Sequence, residues 1–468
     1  MTIAPDEHAL GNQTTSTVDA VRAAFATGRT RPLDWRLEQL DGLKRFLRDN
    51  AESILAALQG DLGKPAFEAY ASYVGAILAE ISLLERHLPK LIAPRRVRTP
   101  LRSQPARTTM VSEPWGTVLI FPAWNYPVAL ALLPLAGALA AGNAAIVKPS
   151  ELAPRSSELL ARVLPRYLDR DAVAVVEGGP EVAAELLVHR FGHIHYTGSA
   201  TVGRVIMRAA AEHLTPVTLE LGGKNPAYVH GDTDTAITAR RIFWGRLFNA
   251  GQTCMSPDYV LVRRGHQDAL IDAMADWARA TYGPDPRQSP DLARIVNDRH
   301  FDRIVGLLEG AGDIAYGGDH DRATRYIGPT IVRNVPDDHP ILYEEIFGPI
   351  LPVVTVDGPS DAIAHITARS EPLTMYIFSD QREPGDEIIA ATTAGSVVVN
   401  QMFTQGFNPA VPFGGVGESG MGTYTGLHSF RCFSHEKPVM RSPVRPDIPV
   451  LYPPYSRWKQ RVVRKLLR

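Results

Sequence analysis

The stretch HIHYTGSATVGRVIMRAAA, residues 193–211, decides the fold because a strand, a glycine loop and a helix follow one another directly in it. The strand pattern ends at Thr197, and a loop containing Gly198, Ser199 and Gly203 leads into a helical pattern. Backbone N–H groups at the start of such a helix can bind a phosphate. The spacing differs from G-x-G-x-x-G, so a phosphate site and a plain helix cap are equally good interpretations of this loop alone.

Short apolar runs around this stretch predict the rest of a parallel sheet. Helical patterns separate most of these runs, and such alternation is typical of an α/β fold with helices on both faces of the sheet. Sheets of this kind bind ligands beyond the carboxyl ends of their strands. The predicted strands are 117–121, 144–147, 172–176, 193–197 and 217–219.

Three further regions are predicted outside this sheet. Residues 17–88 carry helical periodicity, and the segment 92–107, rich in Pro and Arg, predicts an extended connector or an edge hairpin. A second α/β series runs from 226 to about 399. Its predicted helices are 235–248, 267–282 and 299–308.

Composition restricts the class of protein. The chain has 468 residues, 45% of them hydrophobic, and a net charge of -1, which gives no reason to expect nucleic acid as a partner. Two cysteines cannot form a disulfide framework, and no secretion leader is evident, so we expect a cytoplasmic protein. His193 and His195 have no third ligand at suitable spacing, so we expect no metal site.

The terminal segment 458–468 combines Trp458 and Val462 with several basic residues. A basic amphipathic helix can contact an acidic membrane surface. A solvated or subunit-docking tail is the simpler interpretation, because so short a helix buries little apolar area in lipid.

Cys254 is the candidate nucleophile. It follows a predicted helix in the run Phe-Asn-Ala-Gly-Gln-Thr-Cys, residues 248–254, whose small and polar residues would leave a thiol reachable. A buried free cysteine is more often a small hydrophobic residue, so this interpretation requires partners elsewhere in the chain. Cys432 is interpreted as structural.

Two of these partners follow predicted strands. Glu220 ends an apolar strand, where desolvation would raise its pKa and suit it to general-base catalysis; the alternative is a salt bridge with Lys224. Asn125 lies on the loop after strand 117–121 and could stabilise an oxyanion, although Asn is also common in turns.

Lys148 and Glu151 follow strand 144–147, where they could contact ribose hydroxyls. Glu151 could instead cap the next helix. The Gly-rich run 412–422 lacks the Gly-Lys-Ser/Thr ending of a phosphate loop and is interpreted as a tight structural loop.

Seven motifs, in this order and spacing, resemble the aldehyde dehydrogenase superfamily over nearly the whole chain. Residues 214–220, 257–259 and 433–435 look like its class 3 branch, which includes fatty, aromatic and coniferyl aldehyde dehydrogenases. The seven motifs are 121–127, 148–151, 198–203, 220–224, 248–254, 344–349 and 412–420.

The resemblance implies a catalytic role for three residues. Cys254 matches the nucleophile, Glu220 the general base, and Asn125 the oxyanion donor that acts with the Cys254 backbone N–H. The reaction would oxidise an aldehyde to a carboxylic acid through a thiohemiacetal and a thioester. The alternatives are a cysteine-nucleophile esterase or hydrolase and a non-catalytic protein that retains the fold.

The cofactor implied is NAD or NADP. Lys148 and Glu151 match contacts to the adenine ribose, and Gly198, Ser199 and Gly203 lie in the matching pyrophosphate loop. Glu345 and Phe347 match residues that hold the nicotinamide ribose and ring. Glu151 should repel a 2′-phosphate whereas Lys148 could pair with one, so the preference stays open.

The resemblance also implies a domain organisation and a homodimer. We expect a Rossmann-type cofactor domain at 1–92 and 117–219 and a catalytic domain at 220–422. An oligomerisation arm at 93–116 and 423–445 would include a strand near 431–439. A basic tail at 446–468 completes the chain.

Overall fold

The computed structural model describes residues 7–447 and 449–466. The ends of the predicted cofactor domain and of the basic tail, residues 1–6, 467 and 468, lie outside this part of the chain.

A six-stranded sheet, called here the first sheet, forms around the stretch 193–211. Five of its strands are parallel, and their residues are almost all buried because helices cover both faces. In sheet order its strands are Gly420–Met421, Val217–Glu220, His193–Thr197, Thr117–Phe121, Ala144–Val147 and Val173–Val175.

The strand order reverses between Thr117–Phe121 and His193–Thr197, which are neighbours in the sheet although two strands and three α-helices separate them in the chain. Chain segments leaving these two strands diverge and leave a crevice beyond their carboxyl ends. The predicted parallel sheet is confirmed, and the strand expected at 172–176 is shorter, Val173–Val175.

Helices from the N-terminal half cover the first sheet. Apolar stripes on some of them place Leu43, Ile77 and Leu132 in one core with the sheet residue Val118. The others place Val18 and Ile206 in a second core with the sheet residue Leu119. These helices are Glu7–Ala26, Leu33–Asp49, Ala51–Leu62, Ala66–Ala69, Ala76–Ile92, Ala129–Ala141, Pro154–Val163, Pro180–Val188 and Ala200–Glu212.

The helices Ala66–Ala69 and Ala76–Ile92 are joined by a wider π-helical turn, Tyr70–Gly75. Together they form the one helix, among the described residues, whose length and composition would allow it to cross a membrane. Because Tyr73, Ile77 and Ile81 are fully buried in the core, we interpret it as a core helix.

A seven-stranded sheet, the second sheet, confirms the second α/β region. It is parallel except for the edge strand Asp313–Tyr316. Its strands in order are Asp313–Tyr316, Thr330–Arg333, Ile350–Val356, Tyr259–Arg263, Pro226–Val229, Thr374–Phe378 and Ser396–Val399. Its helices are Thr235–Leu247, Gln267–Tyr282, Asp298–Gly306, Pro359–Thr367 and Arg382–Ala391, and a small hairpin joins His320–Asp321 to Tyr326–Ile327.

A three-stranded antiparallel sheet, the arm sheet, contains Arg95–Val97, Arg107–Pro114 and Ser434–Arg441. The predicted edge hairpin is therefore confirmed. The strand expected near 431–439 was placed too early, because Arg431 and Cys432 complete the helix Gly426–Cys432. Phe430 of this helix and the adjacent Phe433 bury their rings in the core around the first sheet.

The run 412–422 is more than a loop. Gly420–Met421 pairs antiparallel with the strand that ends at Glu220, with Gly420 opposite Glu220. A Cβ at Gly420 would lie 2.2 Å from the Leu219 carbonyl oxygen, so only glycine permits this approach. The last helix, Arg457–Leu466, confirms the helical pattern of the basic segment.

Candidate active site

The crevice at the strand reversal opens into a cavity of about 230 Å³. We call it the first cavity. Its walls come from the ends of three neighbouring strands of the first sheet, from the loop containing Cys254, and from the segment that contains Glu345 and Phe347. The fold therefore brings Asn125, Gly198, Glu220, Cys254 and Glu345 together, although 220 positions separate the first from the last.

The Cys254 loop is held by unusual backbone geometry. The helix Thr235–Leu247 ends, and Asn249 and Ala250 then adopt left-handed conformations with φ of 54° and 52°. Gly251 follows with φ of 75°, and a Cβ there would lie 2.2 Å from the Gly348 carbonyl oxygen. Left-handed conformations cost free energy for residues other than glycine, so tertiary contacts must impose this turn.

Contacts on both sides of the loop supply that constraint. The Asn249 backbone N–H donates to a Glu68 carboxylate oxygen at 3.1 Å. The Asn225 side-chain amide donates to the carbonyl oxygens of Cys254 at 2.6 Å and Ser256 at 2.9 Å. The main chain at Cys254 is thus fixed before any ligand binds.

Burial raises the pKa of the Cys254 thiol to about 12, and the carboxyl groups of Glu345 and Glu220 add to this effect. The backbone N–H groups of Met255 and Cys254 act in the opposite direction. The thiol is therefore protonated at neutral pH in this state and must lose its proton to react.

Glu220 is 3% exposed, and neither of its carboxyl oxygens has a hydrogen-bond partner among the described residues. The alternative salt bridge with Lys224 is wrong, because the Lys224 ammonium pairs with Asp258. Burial raises the pKa of Glu220 well above its ordinary value. Burying a carboxyl group without a hydrogen-bond partner costs free energy of folding, so Glu220 does not stabilise the fold at this position.

Asn125 is 3% exposed and its side chain lies on the cavity wall. Its Nδ2 donates to the Gln252 carbonyl oxygen at 3.1 Å, which leaves the second N–H of the amide for a ligand. The backbone carbonyl oxygen of Asn125 accepts from the Tyr73 hydroxyl at 3.3 Å and from the Asn249 side-chain amide at 3.1 Å. These bonds tie Asn125 to the Cys254 loop.

Lys148 and Glu151 are neighbours beyond the strand Ala144–Val147, as predicted. The Lys148 ammonium lies 2.8 Å from a Glu151 carboxylate oxygen. The alternative of a helix cap is wrong, because the following helix has Ala153 as its N-cap and no side-chain cap. Neither residue lines the first cavity, so they flank it at the next strand end.

The loop from Gly198 combines both interpretations that its sequence left open. Ser199 caps the helix Ala200–Glu212 by accepting from the Val202 N–H. Gly198 and Ser199 also line the first cavity. A Cβ at Gly198 would lie 2.1 Å from the Tyr196 hydroxyl, and one at Gly203 would lie 2.9 Å from Leu221. The loop therefore presents bare backbone at a helix N-terminus.

Glu345 and Phe347 form another wall of the first cavity. Glu345 accepts from the Gly223 N–H at 3.2 Å, and burial raises its pKa to about 7. Phe347 adopts a left-handed φ of 52°, and its ring packs edge-on against Trp124.

Sequence reasoning missed the residues that hold this wall. The Arg303 guanidinium donates to the carbonyl oxygens of Glu345 at 3.1 Å and Ile346 at 2.6 Å. Lys224 donates to the Glu344 carbonyl oxygen at 2.8 Å. Arg303 lies on a helix whose pattern gives no signal of this role, whereas Lys224 was considered only as an alternative partner of Glu220.

A second cavity, of about 270 Å³, meets the first at Cys254. Its walls are helix faces and loops rather than strand ends, and the π-helical turn Tyr70–Gly75 contributes Ala71 and Ser72. Six aromatic residues line it: Tyr126, Phe248, Phe403, Phe407, Phe413 and Tyr424. Cys254 is therefore reached both from the first cavity, at the strand ends, and from an apolar second cavity.

Comparisons with known proteins agree with this geometry. A profile of the Aldehyde dehydrogenase family matches residues 3–439. The rat (Rattus norvegicus) "Aldehyde dehydrogenase family 3 member A2" is 46% identical over 444 residues, 94% of this chain and 92% of that protein. The canine (Canis lupus familiaris) "Aldehyde dehydrogenase, dimeric NADP-preferring" is 44% identical over 439 residues, 93% of this chain and 97% of that protein.

A solved structure of the substrate-bound state of Staphylococcus aureus AldH has the same fold. Its TM-score is 0.94 at 39% identity, and the match covers 97% of this chain and 99% of that one. The class that fold and site define is a dinucleotide-dependent oxidoreductase with a thiol between two cavities.

The chain belongs to the aldehyde dehydrogenase family, and relatives from family 3 match most of its length. It is an NAD(P)-dependent aldehyde dehydrogenase. The residues present fit the cofactor, because Gly198 and Gly203 leave the helix N-terminus bare and the first cavity adjoins both it and Cys254.

Proposed function

We propose that Cys254 is the nucleophile, Asn125 the oxyanion donor and Glu220 the general base of aldehyde oxidation in this chain. The observation that carries the proposal is the position of Cys254, where the two cavities meet. An aldehyde entering through the apolar cavity reaches the thiol from one side, and the residues of the first cavity would hold the cofactor on the other.

In the first step the Cys254 sulfur attacks the aldehyde carbon, and the carbonyl oxygen gains negative charge. The free N–H of the Asn125 amide and the Cys254 backbone N–H stabilise that oxygen, each such donor contributing roughly 3 kcal/mol. The thiol proton leaves as the C–S bond forms. That proton passes to solvent, so this step does not require Glu220.

The chemistry that NAD or NADP supplies when bound is acceptance of a hydride. Glu345, Phe347 and the loop containing Gly198, Ser199 and Gly203 would hold it, with Lys148 and Glu151 at its adenosine end. What remains on Cys254 is a thioester. Glu220, free of competing partners, removes a proton from the water that hydrolyses the thioester to the acid.

The raised pKa of Glu220 sets the pH dependence of this last step. The base must be ionised, so hydrolysis slows as the pH falls through the pKa of Glu220. Because burial raises that pKa, the acid limb should lie above the usual range of a glutamate, about 4.3.

Glu220→Gln tests the assignment. We expect a burst of reduced cofactor of one equivalent per site, a slow steady state without the acid limb, and an acyl group on Cys254 detected by mass spectrometry of the quenched enzyme. Glu212→Gln is the matched control on the exposed surface and should behave as wild type. A full steady-state rate in Glu220→Gln would contradict the general-base role.

We further propose a homodimer that forms through the arm sheet. The strand Ser434–Arg441 is an edge strand, and most of its residues are exposed, so its backbone could pair with another chain. Light scattering should give twice the chain mass of 51.2 kDa. A monomer mass at micromolar concentration would contradict this proposal.

We also propose a cytoplasmic location with weak membrane contact through residues 458–468. Support comes from the helix Arg457–Leu466, in which Trp458 is 54% exposed beside several basic residues. Full-length protein should co-sediment with anionic liposomes more than a version ending at Tyr455. Equal pelleting would contradict membrane contact, and cell fractionation tests the location.

A further inference from the structure

One charged side chain stands out in the apolar second cavity. Of the described residues that line it, Glu80 is the only one with a carboxyl group, and none is a Lys or an Arg. It lies on the helix Ala76–Ile92, one helical turn after Ala76, which lines the same wall. The aromatic rings and alanines around it offer no compensating charge.

Glu80 is 7% exposed, and its contacts are few. Its Oε1 accepts from the Ser429 hydroxyl at 3.1 Å, and the Gly426 N–H also stabilises the charged form. No Lys or Arg of the described residues pairs with it. Burial outweighs these contacts and raises the pKa of Glu80 to about 7.

Two donors do not saturate a carboxylate, which can accept about four hydrogen bonds. An acceptor with spare capacity in an apolar cavity gains more from a ligand donor than it would in water, because the surroundings are poor in competing partners. The cavity is thus asymmetric: Cys254 marks its reactive end, and Glu80 provides a polar contact on its wall.

Tyr424 lines the same cavity as Cys254 and Glu80. Burial raises the pKa of its hydroxyl, so the side chain carries no charge at neutral pH. A substrate that spans from Cys254 toward Glu80 therefore lies within one cavity. Flat or extended chains fit between the aromatic rings of such a cavity.

We propose that Glu80 selects aldehydes whose far end carries a hydrogen-bond donor, either an alcohol hydroxyl or an ammonium group. This inference rests on the proposed function, in which the second cavity admits the aldehyde to Cys254. The donor binds the Glu80 carboxyl while the aldehyde carbon lies at the sulfur. Plain alkyl aldehydes would enter the same cavity and leave that carboxyl without a ligand donor.

The experiment compares kcat/KM for aldehydes of six to ten carbons in three forms: the n-aldehyde, its ω-hydroxy derivative and its ω-amino derivative. The ω-amino aldehyde is stored as its acetal and deprotected immediately before use. At the best chain length we expect wild type to prefer the ω-substituted aldehydes by about tenfold, the value of one good hydrogen bond to a charged group.

Three variants separate the causes. Glu80→Leu should abolish both preferences and favour the n-aldehyde. Glu80→Gln retains an acceptor oxygen without charge, so it should keep the hydroxyl preference and lose the ammonium preference. Glu80→Leu with Ser429→Ala removes both partners of one hydrogen bond and provides a folded variant if the single substitution is unstable.

If the ratio of kcat/KM for the ω-substituted aldehyde to kcat/KM for the n-aldehyde is the same in wild type and Glu80→Leu, the inference is overturned. Glu80 would then only hold the helix through its hydrogen bond to Ser429. A wild-type ratio near one at every chain length would overturn it as well. Both outcomes differ from failure of the proposed function, in which wild type would not oxidise the n-aldehydes at all.

Discussion

The two cavities that meet at Cys254 are built from different kinds of structure. The first lies at the carboxyl ends of parallel strands, and the loops that follow these strands line it, including Gly198 and Gly222. Ligand sites of open parallel sheets lie at this edge. The second is made of helix faces and loops drawn from residues 71–425. The first cavity is therefore a property of the fold, whereas the second depends on individual side chains.

This difference predicts that substitutions in the two cavities have different effects on activity. Changes in the first cavity should affect every aldehyde alike, because they act on the cofactor or on the shared chemistry. Changes in the second cavity should alter the preference among aldehydes and leave the cofactor unaffected.

Cys254→Ala should have the largest effect, because the residue belongs to both cavities. We expect a loss of dehydrogenase activity of at least about 10⁴-fold for every aldehyde, since no covalent intermediate can form. Affinity for NAD, measured by fluorescence titration, should stay within about twofold of wild type if the loop keeps its shape. Activity above that limit would remove Cys254 from the nucleophile role.

Asn125→Ala should follow, with a loss in kcat of roughly 10²- to 10³-fold, the usual effect of removing one oxyanion donor. The loss should be the same for short and long aldehydes, because the donor acts on the carbonyl oxygen they share. Steady-state kinetics with propanal and decanal test this expectation. A rise in KM at constant kcat would indicate a role in binding only.

Gly222→Ala should damage the cofactor side alone. A Cβ at this position would lie 2.1 Å from a Glu345 carboxylate oxygen, so the Glu345 side chain must move. We expect the Kd for NAD to rise by about tenfold, with unchanged ranking of aldehydes. Gly358→Ala is the matched control, because no atom lies within 4 Å of its added Cβ. Equal effects of the two changes would contradict the cofactor role of Glu345.

Ala76→Leu should produce the smallest effect and the most selective one. The larger leucine side chain narrows the second cavity, which a long aldehyde fills and a short one does not. The kcat/KM for decanal should therefore fall by about fivefold while that for propanal stays unchanged. The Kd for NAD should not change. A parallel loss for both aldehydes would mean that the two cavities are not independent.

Local pattern was enough to predict most of the first sheet and the first cavity. The strands end at Phe121, Val147, Thr197 and Glu220, within one residue of the predicted ends, because each is a buried apolar run bounded by glycine or polar residues. Since parallel strands align their carboxyl ends, the residues after them had to converge.

Pairing partners were harder to predict. Lys224 pairs with Asp258 rather than Glu220, and Gly420 adds an antiparallel strand beside Glu220. Both contacts join segments distant in sequence, and nothing in the local pattern distinguishes one carboxylate or one glycine from another. The start of the arm strand was placed too early for a similar reason, since Phe430 and Phe433 are held by packing against the first sheet.

The sequence by itself determined the class of fold, the position of Cys254 after a helix, and the family resemblance, because these depend on periodicity and on residues close in the chain. Only the tertiary structure decided that Glu220 lacks a partner, that Arg303 and Lys224 hold the Glu345 wall, and that Glu80 lies in an aromatic cavity. These facts depend on which surfaces meet, and long-range packing sets them rather than any local preference.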